Sequence, residues 1–205
     1  MKLQLSGRLL VDIDATLYYA PFAEAARVIW GADCPPTREV DRWLWYKDYL
    51  TDDQWRAVVE LVHNRLGMYK PFPMAANVLQ MAQPYFNIII TSQRDPKYQK
   101  SVDFWLAVNK IPANHTVIKT ESKLELFREG DIVIDDAPHN IIGALEKGAH
   151  VISLRYLYNG HTEELGAKLA EDWGVIGTCL KGVIDNVERE PKERDSKQPE
   201  RDVGV

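Results

Sequence analysis

Two pairs of aspartates stand where short apolar runs end, and they are the strongest chemical signal in the sequence. The first pair is Asp12 and Asp14, and the second is Asp135 and Asp136. The carboxyl ends of parallel strands meet at one edge of a sheet, so we expect the two pairs to converge. Acidic side chains repel one another unless a cation holds them, and Mg²⁺ prefers such oxygen ligands. The pattern therefore predicts a Mg²⁺-dependent enzyme that acts on a phosphate.

The spacing of the first pair allows its two members to do different work. Asp12, at a strand tip, is placed to attack phosphorus as a carboxylate nucleophile and form an aspartyl-phosphate. In extended geometry both side chains would face one side. If the chain turns after Asp12, the backbone carbonyl of Asp14 can instead reach the metal while its side chain turns to the substrate. There it would protonate the leaving oxygen and later take a proton from water.

Hydroxyl and basic side chains supply candidates for holding the phosphate. Thr91 and then Ser92 are favoured, because they end an Ile-rich strand and precede a helix, where backbone N–H groups also bind anions. The charge of the transferring group also requires a lysine. We favour Lys123, in a loop before a helix, over Lys119, which ends its strand. Arg94 could contact the substrate or pair with a nearby carboxylate.

Five apolar runs read as the strands that must position these side chains. They are short and rich in Ile and Val, as expected for strands covered on both faces. The five predicted strands are Arg8–Ile13, Tyr85–Ile90, His115–Lys119, Asp131–Ile134 and His150–Leu154. Helical patterns separate the later ones, at Pro96–Asn109, Ser122–Arg128 and Pro138–Lys147. Strands that alternate with helices predict an α/β fold, with a parallel Rossmann-like sheet and helices on both faces.

The connection between the first two strands, roughly seventy residues, is far longer than a simple crossover needs. Its helical patterns are Phe22–Trp30, Thr37–Tyr49 and Asp52–Leu66, and Pro73–Gln83 then returns to the sheet. We therefore expect a core of residues 1–17 and 78–187 and a helical cap of residues 18–77. A cap inserted after the first aspartate pair can close over the site. Residues 188–205 are charged and poor in apolar side chains, and we expect them to be disordered.

Composition excludes several classes of protein. The 205 residues carry a net charge of -5 and no basic block, so a long nucleic acid is not an expected partner. The two cysteines match no zinc spacing and are expected to be free thiols. No apolar stretch approaches a membrane span, and the N-terminus lacks a signal peptide. We expect a cytoplasmic protein whose partner is a small phosphomonoester, and a homodimer is left open.

The order of these motifs resembles that of the haloacid dehalogenase-like (HAD) phosphatases. The four matching elements are Asp12-x-Asp14-x-Thr16, Thr91-Ser92, Lys123 and Asp135-Asp136. Within that superfamily, further positions are similar to the 5'(3')-deoxyribonucleotidases. These are Lys97-Tyr98, Trp105, Ser122, Pro138, Asn159-Gly160-His161 and Asp172-Trp173.

The resemblance implies a role for each motif. Mg²⁺ would be held by Asp12, Asp135 and the Asp14 carbonyl, with Asp136 orienting the metal's water. Thr91 and Lys123 would bind phosphate.

The resemblance also implies a (deoxy)nucleoside monophosphate as substrate, with its base against aromatic residues of the cap. Phe22, Trp43 and Trp45 are the candidates for that contact. One departure concerns Ala15, where the deoxyribonucleotidases usually have glycine. Alanine tolerates a tight turn less well if its φ is positive.

Two alternatives remain open at this level. The same chemistry could serve another small phosphomonoester or a polynucleotide 3'-end, because the cap decides the substrate. The chain could also be a phosphate-binding module that kept the fold and lost turnover.

Overall fold

The computed structural model describes the backbone of residues 7–195 and the side chains of residues 7–186. This part of the chain forms a six-stranded sheet in the order β3-β2-β1-β4-β5-β6, and all paired strands are parallel. The strands are β1 Gly7–Asp12, β2 Phe86–Gln93, β3 His115–Lys119, β4 Ile132–Ile134, β5 His150–Leu154 and β6 Lys168–Ala170. The predicted parallel α/β fold is confirmed.

Helices cover both faces of the sheet. They are α1 Phe22–Trp30, α2 Asp52–Asn64, α3 Ala75–Ala82, α4 Gln99–Val108, α5 Pro138–Glu146 and α6 Trp173–Asp195. Successive residues of a strand point to opposite faces, so Leu9 packs in a cluster with α3, α4 and α6 while Leu10 packs in a second cluster with α5. Both faces of the sheet are therefore buried, which explains why the strand sequences are continuous apolar runs.

Residues 18–77, here called the insert, follow the loop after β1 and run into the first turn of α3. They contain α1, α2 and most of a third apolar cluster. Ala23 and Ala26 of α1 and Val58 of α2 are buried in it. Helix α2 begins with a capping box, in which the Thr51 hydroxyl accepts from the Gln54 backbone and the Gln54 side chain accepts from the Thr51 backbone. The insert thus has a small core of its own beside the sheet.

Two of the helix predictions are wrong. The segment Thr37–Tyr49 forms only two 3-10 turns, Thr37–Glu39 and Trp45–Asp48, and Ser122–Arg128 forms only the 3-10 turn Leu124–Leu126. In the first segment the large side chains have different partners, since Trp43 packs on His139 and Tyr158 while Trp45 packs on Trp55. In the second, Leu124, Leu126 and Phe127 pack in the cluster of α5. Tertiary packing has overridden a weak helix propensity.

The end of the chain also differs from expectation. Strand β6 has three residues, too few to show a periodic pattern, and was not predicted from the sequence. Helix α6 continues to Asp195, into the segment expected to be disordered, where Glu, Arg and Lys are good helix formers. The remainder of that predicted tail, residues 196–205, lies outside the described residues. Among those that are described, no helix has the length and apolar character needed to cross a membrane.

Candidate active site

The strand order brings the two aspartate loops together. Strand β1 lies between β2 and β4, so the carboxyl ends of all three strands are adjacent. Asp12 pairs in register with Thr91, and Val11 pairs with Ile134, the residue before Asp135. The loops after β1 and β4 therefore leave the same edge of the sheet side by side, as the sequence predicts.

Three of the four predicted carboxylates form a compact acidic cluster. One carboxylate oxygen from each of Asp12, Asp135 and Asp136 lies within 4.8 Å of the others, and all three residues are buried. Hard oxygen donors at this spacing suit a divalent cation such as Mg²⁺. When all three carboxylates are ionised, the ammonium of Lys123 balances one negative charge, and a divalent cation would neutralise the other two. The residues present thus fit the metal ion that the sequence predicts.

Lys123 lies inside this cluster. Its Nζ donates to Asp12 Oδ1 at 2.5 Å and to Asp135 Oδ2 at 2.6 Å. Burial would lower the pKa of Lys123, but the two carboxylates outweigh it and raise the pKa. Burial, only partly offset by Lys123, raises the pKa of Asp12 to about 7. Lys119 instead pairs with the exposed Glu125, so the geometry favours Lys123 of the two candidate lysines.

The Asp14 side chain is directed away from the other three. It accepts hydrogen bonds from Arg94 Nη2 at 2.6 Å and from the Tyr18 hydroxyl at 2.5 Å, and His63 Nε2 lies 3.5 Å away. Burial would raise the pKa of Asp14, but Arg94 and then His63 outweigh it and hold the pKa well below its usual range. Asp12 and Asp14 thus have pKa values shifted in opposite directions, which is typical of paired carboxylates with different roles.

The turn that separates these two side chains is strained at one residue. Ala15 has a φ of 56°, in the left-handed region that favours glycine. An alanine there costs roughly 1–2 kcal/mol relative to its preferred conformations. The Tyr156 hydroxyl donates to the Ala15 carbonyl at 2.6 Å and helps to hold the turn. The turn therefore forms with alanine at this position, at a conformational cost.

Thr91 and Ser92 are buried close to the aspartates. The Thr91 hydroxyl lies 3.5 Å from the Val11 carbonyl oxygen. Ser92 Oγ accepts from Arg94 Nε at 2.8 Å and lies 3.4 Å from Asp14 Oδ2. Neither residue lines the adjoining cavity, so their role in phosphate binding stays a prediction. Of the two roles considered for Arg94, the structure shows pairing with a carboxylate.

A cavity of about 460 Å³ lies between the insert and the carboxyl edge of the sheet, a size typical of small-molecule sites. The core contributes Asp12, Asp14, Arg94, Lys123, Asp135, Asp136, His139, Asn140 and Tyr158, among others. The insert contributes mainly large apolar side chains, namely Phe22, Val40, Trp43, Leu44, Trp45, Tyr46, Trp55 and Val59. The cavity is therefore charged at one end and aromatic at the other.

The three aromatic candidates line this cavity in different ways. The Trp43 ring lies 5.5 Å from the rings of both His139 and Tyr158, and the residue is 38% exposed. Trp45 is buried against Trp55. Phe22 packs on Trp55 as well, from the side of His63. Of Trp43 and Trp45, Trp43 is thus the one that links the insert to the core.

Several residues of the site were not predicted from the sequence. Asn140 Nδ2 donates to both oxygens of Asp135, and the Tyr158 hydroxyl donates to Asp136 Oδ2 at 2.6 Å. Asn140 follows Asp135 by five residues, at the start of α5, a spacing that could have suggested the contact. No sequence spacing indicates that His63 lies near Asp14, because only the packing of α2 brings the two residues together.

Comparisons with known proteins find matches among solved structures alone. No protein-family model and no curated protein matches the chain. A haloacid dehalogenase-like hydrolase from Streptococcus pneumoniae matches with a TM-score of 0.59 and 14% identity, over 84% of this chain and 97% of that one. A candidate β-phosphoglucomutase from Thermotoga maritima matches with a TM-score of 0.58 and 16% identity, over 86% and 99% of the two chains.

A HAD family hydrolase from Deinococcus radiodurans, described with bound phosphate and sodium, matches with a TM-score of 0.54 and 14% identity, over 81% of this chain and 91% of that one. These similarities show that the chain has the fold of the HAD-like hydrolases. The narrower similarity to deoxyribonucleotidases is carried by the sequence motifs alone.

Proposed function

We propose that this protein is a Mg²⁺-dependent phosphomonoester hydrolase that acts on (deoxy)nucleoside monophosphates through an aspartyl-phosphate intermediate. One observation carries the proposal. The cavity has Lys123 and the buried acidic cluster of Asp12, Asp135 and Asp136 at one end and aromatic side chains of the insert at the other. The first end suits phosphoryl transfer, and the second suits a flat leaving group.

In the proposed reaction, a carboxylate oxygen of Asp12 attacks phosphorus while the bond from phosphorus to the leaving oxygen breaks. Lys123, bound to Asp12 and Asp135, contributes positive charge beside the transferring group. Asp12, Asp135, Asp136 and the Asp14 carbonyl would hold Mg²⁺, which when bound offsets the repulsion between Asp12 and an anionic phosphate. Water then hydrolyses the aspartyl-phosphate and releases inorganic phosphate.

Asp14 is the proposed acid and base of the two steps. Paired with Arg94, it is a carboxylate, the form that takes a proton from water in the second step. The first step requires its protonated form. That form becomes accessible when the substrate phosphate competes with Asp14 for Arg94, which lines the cavity.

The cavity wall supports an uncharged, flat leaving group. Every Lys, Arg, Asp and Glu that lines the cavity belongs to the core side, and the insert contributes none. A second phosphate or a carboxylate at the insert end would lose its hydration with no lysine or arginine of the insert to replace it. A nucleobase can instead bury its faces against the aromatic side chains. This distribution favours a nucleoside monophosphate over a sugar bisphosphate.

The test is release of inorganic phosphate from a substrate panel. The panel contains dUMP, dTMP, glucose 6-phosphate, glycerol 2-phosphate and an oligonucleotide with a 3'-phosphate, each with Mg²⁺ or with EDTA. We expect the two nucleotides to give the highest kcat/KM, and only with Mg²⁺. Asp12→Asn should lower kcat by about 10³-fold or more, because a carboxamide is a poor nucleophile. Asp103→Asn, at an exposed position of α4, is the matched control and should retain activity.

The outcomes separate the alternatives. Full activity in Asp12→Asn would refute the nucleophile assignment. Equal kcat/KM across the panel would favour a phosphatase for other small phosphomonoesters, and preference for the oligonucleotide would favour a 3'-end phosphatase. A folded wild-type chain that binds phosphate but hydrolyses no member of the panel would establish a non-catalytic binding module.

A further inference from the structure

A short segment after β5, Tyr156–Asn159, contacts both aspartate loops. The Tyr158 hydroxyl donates to Asp136 Oδ2 at 2.6 Å, and Asn159 Nδ2 donates to the Asp136 carbonyl at 3.2 Å. The Tyr156 hydroxyl donates to the Ala15 carbonyl at 2.6 Å. One segment thus binds the loop after β4 and the loop after β1.

The two phenol rings are fixed relative to each other. The rings of Tyr156 and Tyr158 stack with centroids 5.0 Å apart and an interplanar angle of 5°. Asn159 is fully buried, accepts from the Tyr156 backbone N–H at 2.9 Å, and donates to Ser153 Oγ at 3.0 Å. These hydrogen bonds and a further one from Asn159 Nδ2 to the Leu154 carbonyl at 2.9 Å anchor the backbone of the segment to β5.

Tyr158 restricts the orientation of a carboxylate that carries a candidate metal-ligating oxygen. Its hydroxyl holds one oxygen of Asp136, while Thr16 Oγ1 lies 3.4 Å from the other. Hydrogen bonds to a ligating carboxylate fix its orientation and thereby contribute to metal affinity. In the described residues, Tyr158 makes the shorter of these two contacts and is itself buried.

We infer that Tyr158 is a positioning residue for the acidic cluster, and that the segment Tyr156–Asn159 keeps the two aspartate loops at the separation a divalent cation requires. The inference rests on the proposed function for its metal ion. It concerns cation affinity, however, which can be measured apart from turnover. Trp43 packs on the Tyr158 ring, so a variant that tests the hydroxyl must keep the ring.

The test is Mg²⁺ binding to the purified full-length chain by isothermal titration calorimetry. We expect Tyr158→Phe to raise the Kd for Mg²⁺ by about 10- to 100-fold, the usual effect of losing a hydrogen bond to a metal ligand. Saturating Mg²⁺ should restore kcat to within a few fold of wild type. A purely structural role would instead lower Tm in EDTA and leave the Kd of the folded fraction unchanged.

Tyr19→Phe is the matched control. The Tyr19 hydroxyl donates to Glu24 Oε1 at 2.8 Å within the insert, so this variant also loses a phenol–carboxylate hydrogen bond, but away from the acidic cluster. Its Kd for Mg²⁺ should equal that of wild type. The inference is overturned if Tyr158→Phe binds Mg²⁺ as tightly as Tyr19→Phe, or if wild type binds no Mg²⁺. A wild-type chain that binds Mg²⁺ but releases no phosphate overturns only the proposed function, and the Kd comparison still decides the role of Tyr158.

Discussion

At the scale of single residues, one ammonium group controls the charge balance of the acidic cluster. Lys123 is 2% exposed and is the only lysine or arginine within hydrogen-bond distance of Asp12 or Asp135 among the described residues. Removing one partner of a buried ion pair is costly because the other charge stays buried without compensation. A surface ion pair has no such penalty, since water solvates whichever partner remains.

Lys123→Met should therefore destabilise the protein in EDTA by about 3–5 kcal/mol. Lys119→Met removes a lysine whose partner, Glu125, is mostly exposed, and should cost about 1 kcal/mol or less. Urea unfolding of both variants gives the free energies of unfolding. Mg²⁺ should recover part of the loss in Lys123→Met alone, because it supplies the missing positive charge. Equal losses in the two variants would contradict the placement of Lys123 in the cluster.

Ala15 is a second case in which one residue affects the whole site. Its positive φ lets the chain turn between Asp12 and Asp14, so that the two side chains have different partners. Glycine would adopt this φ without strain, but it would also lose a largely buried methyl group and increase the entropy of the unfolded chain. The opposing effects are of similar size, which is consistent with an alanine at this position.

At the scale of secondary structure elements, the insert connects substrate recognition to the catalytic loops. Helix α2 carries His63 to Asp14, and the loop between α1 and α2 carries Trp43 to His139 and Tyr158. Base–aromatic contacts contribute about 1–3 kcal/mol each when tested by alanine substitution. An aromatic residue of the insert that contacts a base should therefore affect nucleotides more than small phosphates.

Trp43→Ala should lower kcat/KM for dUMP by roughly 5- to 150-fold, the kinetic equivalent of that contact energy. Its kcat/KM for glycerol 2-phosphate, which has no ring, should change little. Trp30→Ala is the control, because Trp30 ends α1, is 47% exposed, and does not line the cavity. Parallel losses for both substrates in Trp43→Ala would indicate a structural role for this tryptophan and would count against nucleobase recognition.

At the scale of the whole molecule, folding brings Asp12 into a buried cluster with Asp135 and Asp136, although the two loops are far apart along the chain. Burial raises the pKa of Asp12 from 3.8 to about 7, against the attraction of Lys123. An acid with a raised pKa in the folded state favours its protonated form there. The metal-free fold therefore loses stability as the pH rises from the unfolded pKa near 4 through the folded pKa near 7. Cation binding requires the ionised carboxylate and opposes this loss.

The increase in Tm caused by Mg²⁺ should thus grow between pH 5.5 and 8. Burial also raises the pKa of Asp136. Apparent Mg²⁺ affinity should therefore rise with pH, by up to about tenfold per pH unit for each proton released on binding. Thermal unfolding with Mg²⁺ or EDTA across this pH range measures both effects. Asp12→Asn has no proton to release at this position and should show a flatter profile. A Tm increase independent of pH in wild type would contradict the shifted pKa.

The sequence by itself determined strands β1 to β5, the parallel arrangement and the convergence of the aspartates. These features depend on local patterns, since an apolar run fixes a strand and the residue after it lies at the carboxyl edge. For this reason Asp12, Asp135 and Asp136 could be placed together before any coordinates were considered.

Only the tertiary structure decided how the side chains at that edge are oriented. The pairing of Asp14 with Arg94, the contact of Lys123 with Asp12, and the contact of Tyr156 with Ala15 join residues far apart in the chain. The prediction of a helix at Thr37–Tyr49 was wrong for the same reason. The aromatic side chains of this segment pack on residues from other elements. Such contacts follow from how distant surfaces fit together, and no pattern of neighbouring residues encodes them.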